Sequence, residues 1–259
     1  MINKNSIIHQ DAKVSASAEI GPYVVIGPDV KIGENVTISS HVNISGNTTI
    51  GDGCKIFPFV SIDVPQDLKY SGEKTKIIIG KNNTIREYVT INPGTDGGGG
   101  VTKIGDNCLL MISSHIAHDC MIGNNVVIAN NVPIGGHAVI EDDVIIGGNA
   151  AVHQFTRIGK MAMIGGMTGV TTDVIPYGLS LGNRNYLEGI NLIGLRRKNI
   201  PNKDILQLTN AYKEIFKTSK LSENLSKLNG EFKDNKLVND IINFINKDKK
   251  RPICTPFIK

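Results

Sequence analysis

The chain has 259 residues, a formal net charge of +4 and a globular composition, 40% hydrophobic and 20% charged, with 5% aromatic residues and no tryptophan. It has no apolar run long enough for a signal peptide or a membrane span, and the spacing of its four cysteines argues against disulfides and metal ligands. We therefore expect a cytoplasmic protein with no integral membrane segment.

An aliphatic residue returns every six positions over most of the first two-thirds of the chain. The register runs from Ile8 to Ile62, from Ile79 to Ile91 and from Ile104 to Val170, and all twenty-five of these lead positions are Ile, Leu or Val. This period fits neither a helix nor a simple alternating strand, but it is typical of short strands wound into a coil. Three strands per coil predict about eight coils of 18 residues, with three of the cysteines as small buried residues.

The register is interrupted twice, near residues 63–76 and near residues 93–103. Both insertions are rich in Gly, Pro and charged residues, so we predict loops that leave the coil. Loops that interrupt a solenoid often carry binding residues, although neutral insertions are the alternative. The run Gly97–Gly100 is predicted to be a flexible loop, because it lacks the Lys-Ser/Thr of a phosphate-binding loop.

After the repeats, the pattern becomes helical. We predict a β-helix domain over residues 1–186 and a helical domain over residues 187–259, with amphipathic stretches near 205–216, 221–228 and 237–245. The second domain carries fifteen Lys and Arg against eight Asp and Glu. Such a basic surface suits a phosphate-bearing ligand or an acidic protein, and a solvated helical surface is the alternative.

Four histidines form the most specific chemical signal. His118, His137 and His153 belong to hexads whose leads are 18 residues apart, so we predict that they share one face of successive coils, with His115 at the adjoining corner. None occupies a core position. His118 and His153 would lie roughly 9.6 Å apart along the stack, too far to share one zinc ion. Proton transfer by a neutral imidazole is therefore favoured, and no metal is expected.

Several segments resemble the UDP-N-acetylglucosamine O-acyltransferase family of lipid A biosynthesis over essentially the whole chain. They are Gln66–Gly72, Asn107–Cys120, Gly135–His137, Ala151–Phe155 and Asn210–Lys213. The resemblance implies a left-handed parallel β-helix of hexapeptide repeats with a small C-terminal α-helical domain, and a homotrimer with active sites between subunits. It implies acyl transfer from acyl carrier protein to the 3-position of the UDP-sugar, with no cofactor and no nucleic acid.

The resemblance also implies roles for single residues. His118 matches the general base, Asp119 the residue that orients it, and Gly136 the backbone N–H donor to the oxyanion. Adjacent strand residues point apart, so direct contact between His118 and Asp119 within one subunit is not expected. The substrate-binding residues implied are Asp67, Lys69, His115, His137, His153, Gln154, Asn191, Arg197 and Lys198, and those limiting acyl length are Gly166, Met167 and Arg184.

Two positions depart from the family pattern: Lys198 replaces the second residue of an arginine pair, and Ile193 replaces an acidic residue near the uracil. Four alternatives stay open. The acceptor could be the 3-amino analogue of the same sugar, giving an amide, or the donor could be acetyl-coenzyme A. A zinc-dependent β-helix carbonic anhydrase and a non-enzymatic solenoid are more distant.

Overall fold

The computed structural model describes residues 1–65, 70–228, 230–232, 234–248 and 250–257. It contains two short 3-10 helices, Asp96–Gly98 and Gly230–Phe232. No helix among the described residues has the length and apolar character needed to cross a bilayer. The strands are β1 (Ile7–Ile8), β2 (Lys13–Val14), β3 (Glu19–Ile20), β4 (Val25–Ile26), β5 (Lys31–Ile32), β6 (Thr37–Ile38), β7 (Asn43–Ile44), β8 (Asn47–Ile50), β9 (Lys55–Ile56), β10 (Ser61–Ile62), β11 (Lys76–Ile79), β12 (Thr84–Ile85), β13 (Thr90–Ile91), β14 (Val101–Ile104), β15 (Leu109–Leu110), β16 (His115–Ile116), β17 (Met121–Ile122), β18 (Val127–Ile128), β19 (Pro133–Ile134), β20 (Val139–Ile140), β21 (Ile145–Ile146), β22 (Ala151–Val152), β23 (Arg157–Ile158), β24 (Met163–Ile164), β25 (Gly169–Val170), β26 (Gly178–Leu181) and β27 (Tyr186–Ile190). The α-helices are α1 (Leu192–Arg197), α2 (Asn202–Ile215), α3 (Leu221–Ser226) and α4 (Lys236–Lys247).

The first twenty-five strands form a left-handed parallel β-helix with three faces. The first sheet runs β1-β4-β7-β10-β13-β16-β19-β22-β25 and the second runs β2-β5-β8-β11-β14-β17-β20-β23. The third contains β3, β6, β9, β12, β15, β18, β21 and β24, and β26 and β27 extend it. Each strand ends on one of the predicted lead residues, and leads pair with leads, as in Ile116↔Ile134. The predicted hexad register is confirmed.

The lead residues point inward and stack into a continuous core. Successive strand residues face opposite sides of a sheet, so the residue before each lead points outward. Ile44, Ile62 and Ile134 are completely buried, and burial of an isoleucine side chain contributes about 1.5–3 kcal/mol. The four cysteines are buried and free, which confirms the prediction that three of them act as small core residues.

The turns between strands form three corners, named here first, second and third after the sheet whose strands they follow. At most turns the third residue after the lead has a positive φ, for example Asp119 (59°), His137 (59°) and Phe155 (63°) at the first corner. Backbone bonds then tie each turn to the previous coil, as in His137 N–H to His118 O at 3.0 Å. Side chains at one corner therefore lie above one another.

Both insertions leave the coil, as predicted, and both do so at the first corner. The first follows β10, and four of its residues, 66–69, lie outside the described residues. The second contains the 3-10 helix Asp96–Gly98, and the N–H groups of Gly98 and Gly100 both donate to Thr95 O. The glycine run is thus a hydrogen-bonded turn in this structure.

The C-terminal part contains the three predicted helices, now defined as α2, α3 and α4, and two elements that the sequence pattern did not predict. These are helix α1 and the antiparallel hairpin β26–β27. The proposed domain boundary after residue 186 falls inside β27, which is hydrogen-bonded to the β-helix through β26. The sequence at this hairpin has no hexad register, so its pairing could not be inferred from the repeat.

Arg157 joins the helical part to the solenoid. Its Nε donates to Asp173 Oδ2 at 2.7 Å, and its Nη atoms donate to the carbonyl oxygens of Phe244 and Asp248 at 3.1 and 2.9 Å. The guanidinium also lies 4.3 Å from the centroid of the Phe244 ring. Because cations favour the carbonyl end of a helix, this residue anchors the last turn of α4.

Candidate functional site

His118 and Asp119 lie together in the turn that follows β16. His118 Nδ1 is 2.8 Å from Asp119 Oδ2, so the expectation that these neighbours would not touch is wrong. The expectation treated them as strand residues, whereas both belong to the first corner, and the positive φ of Asp119 places its side chain beside the imidazole. The pair therefore forms within one chain.

The Asp119 carboxylate is 1% exposed and fully hydrogen-bonded. Its Oδ1 accepts from Thr95 N–H at 2.9 Å, and its Oδ2 accepts from Thr95 Oγ1 at 2.6 Å as well as from His118. The Asp119 N–H donates to Thr102 Oγ1 at 2.8 Å. Since an ionised carboxylate only accepts, His118 carries its proton on Nδ1 and leaves Nε2 as the basic nitrogen.

His137 continues the same corner one coil further along. Its ring meets the His118 ring edge-on at a centroid distance of 5.0 Å and stacks on Phe155 at 4.4 Å. Its Nε2 is 3.9 Å from Asp119 Oδ2. Burial lowers the pKa of His137, and the nearby Asp119 carboxylate only partly opposes this, so the ring is neutral at neutral pH.

His115 lies on the flat face of the first sheet, in β16, and not at an adjoining corner as predicted. The residue before a lead is a strand residue whose side chain points outward. Thr90, its partner on β13, places Oγ1 2.7 Å from His115 Nδ1. Burial, followed by the proximity of His118, lowers the pKa of His115, which also favours the neutral imidazole.

His153 and Gln154 begin the next turn of this corner, and Arg251 from the C-terminal segment reaches them. Arg251 Nη2 is 2.6 Å from His153 Nδ1, and its Nε donates to Gln154 O at 2.8 Å. His153 Nδ1 also lies 3.1 Å from Gln154 O. A guanidinium can only donate, so the shorter contact makes Nδ1 the acceptor and leaves the proton of His153 on Nε2.

Gly136 lies directly against the imidazole of His118. A Cβ at this position would come within 2.6 Å of His118 Nε2, so any larger residue would have to displace the imidazole. Among the described residues, no acceptor takes a hydrogen bond from the Gly136 N–H. A free backbone donor next to the basic nitrogen is the arrangement that stabilises an oxyanion.

The other predicted residues lie at different corners of the same chain. Asn191 caps α1 by accepting from Gly194 N–H at 3.0 Å, and Lys198 donates to Asp143 at the second corner at 2.7 Å. Arg197 is exposed at the end of α1.

The predicted acyl-length residues are not beside the histidines either. Gly166 and Met167 lie at the third corner, where Met167 is 73% exposed, and Arg184 is exposed in the β26–β27 turn. Asp67 and Lys69 lie outside the described residues. A single chain therefore unites His115, His118, Asp119, Gly136, His137, His153 and Gln154, but not the remaining predicted residues.

The site also offers three possible metal ligands, because one nitrogen or oxygen atom from each of His118, Asp119 and His137 lies within 4.8 Å of the others. Both oxygens of the carboxylate, however, already accept hydrogen bonds. Proton transfer uses this geometry as it stands, whereas a bound cation would need Asp119 to give up these donors.

Sequence reasoning missed several residues of the site. Phe155 could have been found, because it lies 18 residues after His137 and so occupies the same corner. Thr90 could also have been found, because pairing β13 with β16 across the second insertion places it beside His115. Thr95 and Arg251 belong to a loop and a tail without any periodic signal, so no pattern placed them at the site.

Comparison with known proteins agrees with this architecture. Residues 173–254 match the family model for UDP-N-acetylglucosamine O-acyltransferase domain 2, and residues 11–46, 29–63 and 102–136 match bacterial transferase hexapeptide repeats. The acyl-[acyl-carrier-protein]–UDP-N-acetylglucosamine O-acyltransferase of Rickettsia canadensis is 52% identical over 80% of this chain and 79% of its own length. The Paracoccus denitrificans enzyme of the same name is 46% identical over 78% and 77%.

Solved structures extend the similarity to the whole fold. A crystal structure of a UDP-N-acetylglucosamine acyltransferase has a TM-score of 0.95 and 40% identity, with complete coverage of both chains. The Francisella novicida UDP-N-acetylglucosamine acyltransferase has a TM-score of 0.94 and 36% identity, over 98% of this chain and 94% of its own. The chain belongs to the UDP-N-acetylglucosamine O-acyltransferase family.

Proposed function

We propose that this protein transfers an acyl chain from acyl carrier protein to the 3-hydroxyl of UDP-N-acetylglucosamine, the first step of lipid A biosynthesis, with His118 as general base. The observation that carries the assignment of the base is the 2.8 Å contact between His118 Nδ1 and the buried Asp119 carboxylate, with Gly136 beside Nε2. These are the three parts that acyl transfer requires: an oriented base, the group that orients it, and a donor to the oxyanion.

The chemistry follows from this arrangement. His118 Nε2 removes the proton of the sugar 3-hydroxyl as its oxygen attacks the thioester carbonyl carbon. The Gly136 N–H donates to the resulting oxyanion, and loss of one such donor typically costs about 2.7–4 kcal/mol. When the tetrahedral intermediate collapses, the C–S bond breaks and the thiolate takes the proton back from Nε2. Asp119 stabilises the imidazolium between these two proton transfers.

The neighbouring histidines serve the substrate rather than the proton transfer. The pKa values of His115 and His137 are both lowered by burial, so neither adds a positive charge beside the imidazolium that forms at His118. We assign both rings, together with His153 and Gln154, to contacts with the substrates. Asp67 and Lys69 are assigned to the sugar and its diphosphate, and Asn191, Arg197 and Lys198 to the nucleotide.

A complete site requires a second copy of the chain, which supports a homotrimer with sites between subunits. A cavity lined in part by His118 has a volume of about 10 Å³ among the described residues. Ligand pockets usually measure about 300–1,000 Å³. The residues assigned to the nucleotide and to the acyl chain lie at other corners, so another subunit must bring them to this first corner. Gly166, Met167 and Arg184 then limit acyl length.

The donor is proposed to be an acidic carrier protein, because the part of the chain from Leu187 onward is basic. Electrostatic steering of this kind weakens as salt rises, so the apparent affinity for the carrier should fall with ionic strength. Four free, buried cysteines are consistent with a reducing compartment, which supports a cytoplasmic location.

The test is acyl transfer from hydroxyacyl carrier protein, with UDP-N-acetylglucosamine and its 3-amino analogue offered separately to the native protein, His118→Ala and His41→Ala. His41 is a matched control, since its imidazole stacks with aromatic rings at the third corner. We expect transfer to the hydroxyl sugar to fall by about 10² or more in His118→Ala and to persist in His41→Ala. Transfer to the amino sugar alone would reject the ester assignment, and full activity of His118→Ala would reject the base.

A further inference from the structure

Thr95, on the second loop, makes two hydrogen bonds to a single carboxylate 24 residues away in the sequence. Its N–H donates to Asp119 Oδ1 at 2.9 Å and its Oγ1 donates to Asp119 Oδ2 at 2.6 Å. Thr95 occupies the N-cap position of the 3-10 helix Asp96–Gly98, where threonine usually bonds the backbone, yet its side chain makes no capping bond. The hydroxyl is directed to the carboxylate instead.

The glycine run of the same loop packs against this carboxylate. A Cβ on Gly98 would collide with the Asp119 carboxylate group, so the loop backbone occupies the space in which that side chain could otherwise turn. Asp119 is correspondingly 1% exposed, whereas His118 is 33% exposed. The loop therefore excludes water from the carboxylate and leaves the imidazole accessible.

These contacts determine which oxygen faces the base. A carboxylate held only by His118 could rotate about its terminal bond, but Thr95 binds both oxygens at once and fixes the plane of the group. Oδ2 is then presented to His118 Nδ1 at 2.8 Å. Fixing the Nδ1–H tautomer by a hydrogen bond to a carboxylate is what keeps Nε2 available as a base.

We propose that Thr95 is a positioning residue for the acyl transfer: it holds Asp119 so that Asp119 orients and stabilises His118. The inference rests on the proposed function, in which His118 is the base. It also assigns a role to the second insertion, since this loop supplies the two hydrogen bonds to Asp119 that the regular coil does not provide at this corner.

The test compares Thr95→Val, which keeps the shape and the N–H donor but loses the hydroxyl, with Thr95→Ser, which keeps both donors. We expect kcat to fall by about 10- to 100-fold in Thr95→Val, the factor typical for loss of a hydrogen bond to a charged group. Thr95→Ser should retain most of the activity. Asp96→Asn is the matched control, because this exposed neighbour on the loop should leave the rate unchanged.

Two further readouts separate positioning from a merely structural role. The acid limb of the pH dependence of kcat should move to lower pH in Thr95→Val, because an imidazolium beside a misaligned carboxylate is less stable. In an Asp119→Asn background, Thr95→Val should have little additional effect, since residues that act through one another are not additive. Independent, additive losses, or an unshifted pH profile, would overturn the proposal.

The outcomes also distinguish this inference from the proposed function. No transfer by the native protein would reject the function itself. Transfer that depends on His118 and Asp119 but is unaffected by Thr95→Val would reject only the role of Thr95. A lower melting temperature in Thr95→Val and Thr95→Ser alike, with equal loss of activity, would show a structural role and would likewise reject the positioning role.

Discussion

Asp63 is a buried acid whose carboxyl group should lower the free energy of unfolding as the pH rises above about 4. It follows β10 at the first corner, with φ at 68°, and its carboxylate packs over Gly46 with the residue only 9% exposed. No described residue donates a hydrogen bond to this carboxylate. Burial raises the pKa of Asp63 from 3.8 to about 7, so the folded protein holds it in its neutral form under mildly acidic conditions.

The magnitude follows from the two pKa values. Below about pH 4 the carboxyl is neutral in both the folded and the unfolded chain, so it costs nothing. Between pH 4 and pH 7 only the unfolded chain ionises it, and stability falls by about 1.4 kcal/mol per pH unit. Above pH 7 the cost stays constant at roughly 4 kcal/mol, which is an upper limit because water relaxation and local rearrangement reduce it.

Asp63→Asn should remove this cost, because an amide has the same shape, cannot ionise and tolerates a positive φ. Between pH 5 and pH 8 its advantage over the native protein should grow by up to about 2–3 kcal/mol. At roughly 2–4 °C per kcal/mol, the difference in Tm should widen by several degrees. Thermal unfolding followed by circular dichroism at both pH values measures it.

Asp29→Asn is the control, since Asp29 lies at the same corner but is exposed. Its Tm should follow that of the native protein at both pH values. A difference between Asp63→Asn and the native protein that stays constant with pH would refute the reasoning, and so would destabilisation at pH 8. Either result would mean that the Asp63 carboxylate is ionised and solvated in the folded protein.

Three further changes test other parts of the structure. Gly136→Ala should abolish most transfer without unfolding the protein, because the methyl group displaces the basic imidazole, whereas Gly148→Ala, whose Cβ meets only an atom at 3.6 Å, should be active. Arg157→Met should cost about 3–5 kcal/mol in unfolding experiments, because it leaves Asp173 buried without its ion pair. Lys81→Met, which breaks an exposed ion pair with Asp52, should leave the free energy of unfolding almost unchanged, because solvent screens exposed pairs. Dialysis against a chelator should leave the transfer rate unchanged, and activity restored only by zinc would contradict this.

The fold was predictable because one physical requirement repeats. Every coil must bury a lead residue on each face, so the spacing in the sequence is also the spacing of the strands, as the pairing of Ile116 with Ile134 illustrates. The hairpin β26–β27 has no such repetition. Its strands are defined by their pairing with β24 and with the C-terminal segment, which is a tertiary property.

The site was only partly predictable, because only some of its residues lie in the repeat. The period correctly aligned His118 and His137 on successive coils, but it assigned them to a face and not to the corner that they occupy. Strand alternation also gave the wrong relation between His118 and Asp119, because it carries no information about turn residues with a positive φ. Thr95 and Arg251 reach their partners from 24 and 98 residues away. Their contacts depend on how the loop and the tail return to the coil, which composition does not encode.

The two ends of the solenoid differ in how they are closed. At the C-terminal end, the hairpin, the helices and the anchor at Arg157 cover the last coils, whereas Ile8 and Val14 in the first coil are only half-buried. In a stack where each coil supports its neighbour, opening spreads from the less protected end. Amide hydrogen exchange should thus be fastest in the first coils and slowest near the histidines, so that the proposed site lies in the part of the molecule that opens last.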